Sequence, residues 1–96
     1  MAIKAVVELT AKPGRRAELA SLLEDMVQQG AGQPGFLGSA RYEVLDQPDV
    51  LIEIADWESA EARAAHMRES AATGAYAPLL ELLAAPFRVT LIQPLT

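Results

Sequence analysis

The stretch from Val50 to Trp57, VLIEIADW, constrains the fold of this chain more than any other, because it alternates like a strand and then empties directly into a helix. Val50, Ile52 and Ile54 fall on one side of such a strand, and Leu51, Glu53, Ala55 and Trp57 on the other. Ser59 is a natural helix N-cap, and Glu58 and Glu61 sit where the positive end of the helix dipole favours acids. The only Trp and the only His of the chain fall nine residues apart across this junction, with the strand carboxylate Glu53 just before them.

The rest of the chain supplies partners for that unit. Ile3, Ala5, Val7 and Leu9 alternate with Lys4, Val6, Glu8 and Thr10 as a first strand. Pro13-Gly14 punctuates, and a helix follows with Leu19, Leu22, Leu23, Met26 and Val27 on one stripe. It ends in the Gly- and Pro-rich loop 28–35. A second strand is predicted from Phe36 to Leu45, with Phe36, Gly38, Ala40, Tyr42 and Val44 on one side, and a turn over Asp46–Asp49 leads to the third. The helix after Trp57 is predicted over Ser59–Ala71, with Ala60, Ala64, Met67 and Ala71 toward the sheet and Arg63, His66 and Ser70 on a flank. Beyond Thr73-Gly74 a short helix carries Tyr76, Leu79, Leu80 and Leu83 on one stripe, and Phe87–Ile92 alternates as a last strand.

The order is βαββαβ: an α+β, ferredoxin-like sandwich in one domain over residues 1–96, with a four-stranded antiparallel sheet and helices on one face. The other sheet face is expected to mix apolar and charged residues, among them Val6, Leu51, Ala55 and Ile92 beside Lys4, Glu53, Arg88 and Thr90. Such a face suits a homodimer interface. A chain of 96 residues buries only about 65% of the surface it exposes when unfolded, and 51% hydrophobic content leaves apolar area to cover.

Composition narrows the function classes. A net charge of −5 with dispersed basic residues offers no track for nucleic acid and no patch for an anionic membrane. No apolar run is long enough to span a bilayer and no secretory leader is visible, so a cytoplasmic protein is expected. One His and no Cys make a transition-metal site improbable and exclude disulfides and thiol catalysis. Neither phosphate-loop spacing nor a nucleophile elbow is present.

The candidate chemistry sits near the strand–helix junction. His66 is the best proton-transfer group, against the alternative of a surface histidine bonded to a neighbour. Trp57 serves either packing or a ligand face. Glu53, if buried, needs a partner such as Lys4 or Arg88. Tyr42 and Tyr76 are either core phenols or groups that orient a ligand oxygen.

In sequence the chain resembles the antibiotic biosynthesis monooxygenase family of the dimeric α+β barrel superfamily. The marks are Lys12-Pro13-Gly14, Gln33-Pro34-Gly35-Phe36, Asp56-Trp57-Glu58-Ser59 with Glu61-Ala62, Ala65-His66-Met67, and Leu82-Leu83 followed by Pro86, in order over essentially the whole chain. The resemblance implies a homodimer with face-to-face sheets and a pocket between sheet and helices. It also implies a cofactor- and metal-independent oxidation of a small hydroxylated aromatic (a quinol, phenol or anthrone) by dioxygen. His66 would then be the catalytic base, and Trp57, Tyr42, Tyr76, Glu53 and Arg63 would contact the substrate. Polyketide-modifying members carry Asn four residues before the Trp and Tyr six after, where this chain has Glu53 and Arg63. The haem-degrading branch uses Asn, Trp and His where this chain has Val7, His66 and Tyr76, and the chain holds no Asn, so haem degradation is not expected. An isomerase of a small carbonyl compound, with Glu53 and His66 moving protons, and a non-catalytic dimeric binding module are the alternatives on the same fold.

Overall fold

The computed structural model describes residues 2–30 and 32–95. Its elements are β1 (Ile3–Thr10), α1 (Arg16–Gly30), β2 (Phe36–Glu43), β3 (Val50–Trp57), α2 (Ala60–Ala72), α3 (Ala77–Leu82) and β4 (Arg88–Ile92). Ala31, within the loop expected at 28–35, lies outside the described residues. The four strands form one antiparallel sheet in the order β2-β3-β1-β4, and the helices lie on one face of it. The βαββαβ order of a ferredoxin-like α+β sandwich is therefore the observed one.

Register decides which side chains meet the helices. Ala5 pairs with Ala55, Leu9 with Leu51 and Ile3 with Trp57, so these residues share the helix-facing side with Val7 and Glu53. Leu9, Ala11 and Leu51 pack there with Leu19 and Leu23 of α1 and with Leu79 and Leu83 at α3. A second cluster joins Ile3, Ala5, Ala55 and Trp57, with Phe36, Ala62 and Met67 against it. The expected open-face set thus needs correction. Val6, Lys4, Arg88, Thr90 and Ile92 do face away from the helices, but Leu51, Glu53 and Ala55 face toward them.

Three local departures from the sequence pattern have clear causes. β2 ends at Glu43 rather than Leu45, and it carries a bulge: Phe36 pairs with Trp57 while Gly38 pairs with Asp56, so one residue is extra on β2. The bulge turns Phe36 off the Gly38–Ala40–Tyr42 side and onto the helix side, against Trp57. On α2, the residues shielded by the sheet are Ala62, Arg63, His66, Met67 and Ser70, while Ala60, Ala64 and Ala71 are exposed. The helix is rotated so that the flank predicted for His66 is the inward one. In α3, Leu79 and Leu83 are buried but Leu80 is 55% exposed, and Tyr76 is the N-cap rather than a member of the helix.

The strand-to-helix junction forms as expected. Ser59 has an extended backbone and its Oγ accepts from the Ala62 N–H at 3.1 Å, satisfying one orphan donor of the first turn. The Glu58 N–H donates to the Gly35 carbonyl at 2.8 Å, which seats the start of α2 over the start of β2. Gly35 has φ +85°, and a Cβ there would stand 2.5 Å from the Ala62 Cβ. Only glycine meets both demands.

Candidate active site

Between the helix-facing side of the sheet and helices α1 and α2 lies a cavity of about 360 Å³. Its floor is Ala5, Val7, Ser39, Glu53 and Ala55, its α1 wall is Leu23, Met26 and Val27, and its α2 wall is Arg63, His66, Met67 and Ser70. Phe36, Trp57 and Tyr76 also line it. The walls are chiefly apolar with a few polar groups converging, the usual character of a small-molecule site.

Strand parity delivers Glu53 and Trp57 to the floor, because they follow Leu51 on the helix-facing side of β3. Trp57 is only 3% exposed. Its ring is 5.1 Å from that of Phe36 at 59° and 5.3 Å from the His66 imidazole at 38°. The indole therefore packs against the His66 and Phe36 rings and into the cluster of Ile3, Ala5 and Ala55, as the packing reading expects.

His66 Nε2 lies 3.5 Å from Ser70 Oγ, one helical turn on, at the limit of a hydrogen bond. Its Nδ1 is buried with no partner. A neutral imidazole carries one donor and one acceptor nitrogen, so the His66 ring on the cavity wall keeps one hydrogen-bonding capacity unused.

Glu53 is the other buried group in that condition. Its side chain is 15% exposed and its Oε2 has no hydrogen-bond partner. The cation near it is Arg41, directly across on β2, with Nη1 at 3.7 Å from Oε2; this is an ion pair without a hydrogen bond. Neither Lys4 nor Arg88 is the partner: Lys4 pairs with Asp56 on the opposite face, and Arg88 lies across from Glu8. Burial pushes the Glu53 carboxyl above its ordinary value, and the Arg41 charge opposes that only in part.

Of the six site residues expected from sequence, His66, Trp57, Tyr76, Glu53 and Arg63 line one cavity. Tyr42 does not. It pairs with Ile52 on the open face and is 54% exposed, because β2 alternates and its Arg41 is the residue that faces inward. Tyr76 spends its hydroxyl on Met67 Sδ at 2.8 Å. Sequence reasoning missed Phe36, hidden by the bulge, and Arg41, whose link to Glu53 needs the β2–β3 register. Among the described residues no cluster of three or more His, Cys, Asp and Glu could hold a metal ion, and no helix is long and apolar enough to cross a membrane.

Sheet order, one-sided helices and the cavity together define a ferredoxin-like α+β domain with a ligand-sized site under its helices. The chain belongs to the antibiotic biosynthesis monooxygenase family, whose sequence profile matches residues 2–77. Solved structures agree in fold. A candidate antibiotic biosynthesis monooxygenase from Bordetella bronchiseptica superposes with a TM-score of 0.86 at 22% identity, covering 99% of this chain and 98% of that one. Rv0793 from Mycobacterium tuberculosis gives 0.82 at 24% identity over 100% and 97% of the two chains. A singly substituted form of SnoaB, a cofactor-independent oxygenase from Streptomyces nogalater, gives 0.82 at 20% identity over 97% and 92%. No curated protein sequence matches the chain.

Proposed function

We infer that the protein is a cofactor-independent monooxygenase that oxidises a small hydroxylated aromatic, of quinol, phenol or anthrone type, with dioxygen. The observation that carries this reading is the buried, unpartnered Nδ1 of His66 on the wall of an apolar cavity, with the Trp57 indole against the ring. Family membership and the fold shared with SnoaB support it.

The chemistry asks little of a protein. Ground-state dioxygen is a triplet and reacts poorly with closed-shell molecules, but an electron-rich aromatic anion can pass it one electron and recombine with the superoxide formed. His66 takes the proton that makes the anion, and the apolar walls shelter the radical pair from water. For an anthrone-type substrate the ring CH₂ becomes C=O, and its two hydrogens leave with the second oxygen atom as water. No added reductant is needed. A single His and no Cys in the chain supply few soft metal ligands, which fits a reaction run without a metal.

The reading carries with it the homodimeric, cytoplasmic protein expected from sequence. Support for the dimer is the open sheet face, where Val6, Ile52, Ile54 and Ile92 lie uncovered by any helix. The isomerase alternative gains from Glu53 and His66 lining one cavity, each with one atom that lacks a hydrogen-bond partner.

Oxygen uptake by metal-stripped protein with naphthohydroquinones, anthrones and catechols tests the proposal. Uptake above autoxidation should fall about 100-fold or more in His66→Ala, the usual span for loss of a positioned base. Unchanged uptake in that variant would remove His66 from the mechanism, and turnover that persists without oxygen would favour the isomerase.

A further inference from the structure

The Arg41 guanidinium is shared unequally between two carboxylates. Its Nη2 donates a close hydrogen bond to Glu24 Oε2 on α1, and its Nη1 donates to Ser39 Oγ at 3.4 Å. Toward Glu53 it offers only the 3.7 Å ion-pair contact. Glu24 is held in turn by Gln28, whose Nε2 donates to Glu24 Oε1 at 3.2 Å. Arginine prefers to grip a carboxylate with two parallel N–H bonds, and Glu53 lies straight across the β2–β3 register from it. The pairing that register favours is present only as that loose ion pair, while the hydrogen bond goes to Glu24.

We propose that Glu24 is a positioning residue for the cavity: it draws the Arg41 guanidinium toward α1 and so keeps it from gripping Glu53 with two hydrogen bonds, leaving that carboxyl to meet the hydroxyl of a bound aromatic. Glu24 lies outside the cavity lining and acts through Arg41, and Arg41 through Glu53. The inference rests on the cavity being the hydroxyaromatic site argued above. The groups that share the Glu53 environment are Arg41 and Ser39 from β2, the apolar Val7 from β1, Glu24 behind Arg41 from α1, Arg63, His66 and Glu69 from α2, and Tyr76 at the start of α3. Arg41 is the nearest cation among them, so its allocation governs how readily Glu53 holds a proton.

Two substitutions should move Glu53 in opposite directions. In Glu24→Gln the guanidinium loses its competing anion and turns to Glu53, favouring the carboxylate and shifting the Glu53 titration to lower pH. In Arg41→Met the cation is gone and burial acts unopposed, shifting it to higher pH. The measurement is a carbon-13 NMR titration of the full chain with labelled glutamate, the Glu53 signal being the one lost in Glu53→Gln. A role limited to tying β2 to α1 would lower Tm in both variants and leave the Glu53 titration where it was. That result, or a shift of the same sign in both, overturns the proposal.

The ligand arm uses 1-naphthol as probe, read by quenching of Trp57, the sole tryptophan. Glu24→Gln should weaken naphthol binding about fivefold, the worth of one hydrogen bond. It should add nothing in a Glu53→Gln background, since the two changes act on one contact. Equal weakening in both backgrounds counts against the proposal. Naphthol that fails to quench Trp57 even in the parent protein sinks the hydroxyaromatic reading of the cavity, while the titration still decides the role of Glu24 in freeing Glu53.

Discussion

Gly35→Ala should be among the most damaging single-methyl additions this chain can receive, and its cost can be built from two independent observations. The backbone at Gly35 has φ +85°, where an L side chain costs roughly 1–2 kcal/mol. The new Cβ would also stand 2.5 Å from the Ala62 Cβ on the first turn of α2, a separation that real Cβ atoms do not tolerate. Overpacking of that kind costs roughly 1–3 kcal/mol. α2 cannot simply lift away, because the Glu58 N–H is hydrogen-bonded to the Gly35 carbonyl at 2.8 Å and Ser59 caps the helix beside it. The sum is about 2–5 kcal/mol, and for a chain this short each kcal/mol lowers Tm by about 4–8 °C. Thermal unfolding followed by far-UV circular dichroism should therefore show a fall of roughly 10 °C or more. Ala62→Gly separates the two contributions. Alone it costs about 1 kcal/mol of helix propensity. Combined with Gly35→Ala it should recover about 1–3 kcal/mol, the packing share, and leave the φ share in place. A Gly35→Ala protein that melts within about 2 °C of the parent would refute the reasoning, since neither contribution alone is that small.

Two further predictions follow from Glu53 and from the open sheet face. The folded state raises the Glu53 carboxyl above its ordinary value of 4.5, so it binds that proton more tightly than the unfolded chain does. Stability from this group is full below the unfolded value and declines as pH rises through the folded one. Urea midpoints should fall across that window in the parent but not in Glu53→Gln, and equal slopes would contradict the assignment. Ile54 stands between Val6 and Ala40 at the middle of the open face, and Ile54→Lys should drop the molar mass measured by light scattering from twice the 10.3 kDa chain mass to once. A parent protein that is already monomeric would remove the dimer from the proposal.

Much of this architecture is legible without coordinates, for reasons of period. β1 and β3 carry a two-residue period because Ile3, Ala5, Leu9, Leu51, Ala55 and Trp57 meet a packed core, and α1 shows its stripe because Leu19 and Leu23 are buried. The same parity carried Trp57 and Glu53 onto one face. What a residue pattern cannot contain is pairing across strands. The identity of Arg41 as the cation opposite Glu53 depends on register, and the inward turn of Phe36 depends on a one-residue bulge that reverses parity at its own position.

The rotation of α2 marks where such reading fails and why the failure is informative. Apolar periodicity assigns a helix face by what a core wants to bury, and of the stripe it selected, Ala60, Ala64, Met67 and Ala71, the structure shields only Met67. Beside Ala62 and Met67 the inward face carries Arg63, His66 and Ser70, which hydrophobicity places on a flank. A helix that walls a partly polar cavity presents polar groups where a helix over a dry core presents leucines, so its amphipathic signal is weak. Alanine on the outer face and polar side chains on the inner one give α2 no buried residue, while α1 and α3, which wall the core, have theirs. The element of this chain least readable by pattern is thus the one that brings His66 to the cavity, and the seat that holds it in place is the Gly35–Ala62 contact at its first turn.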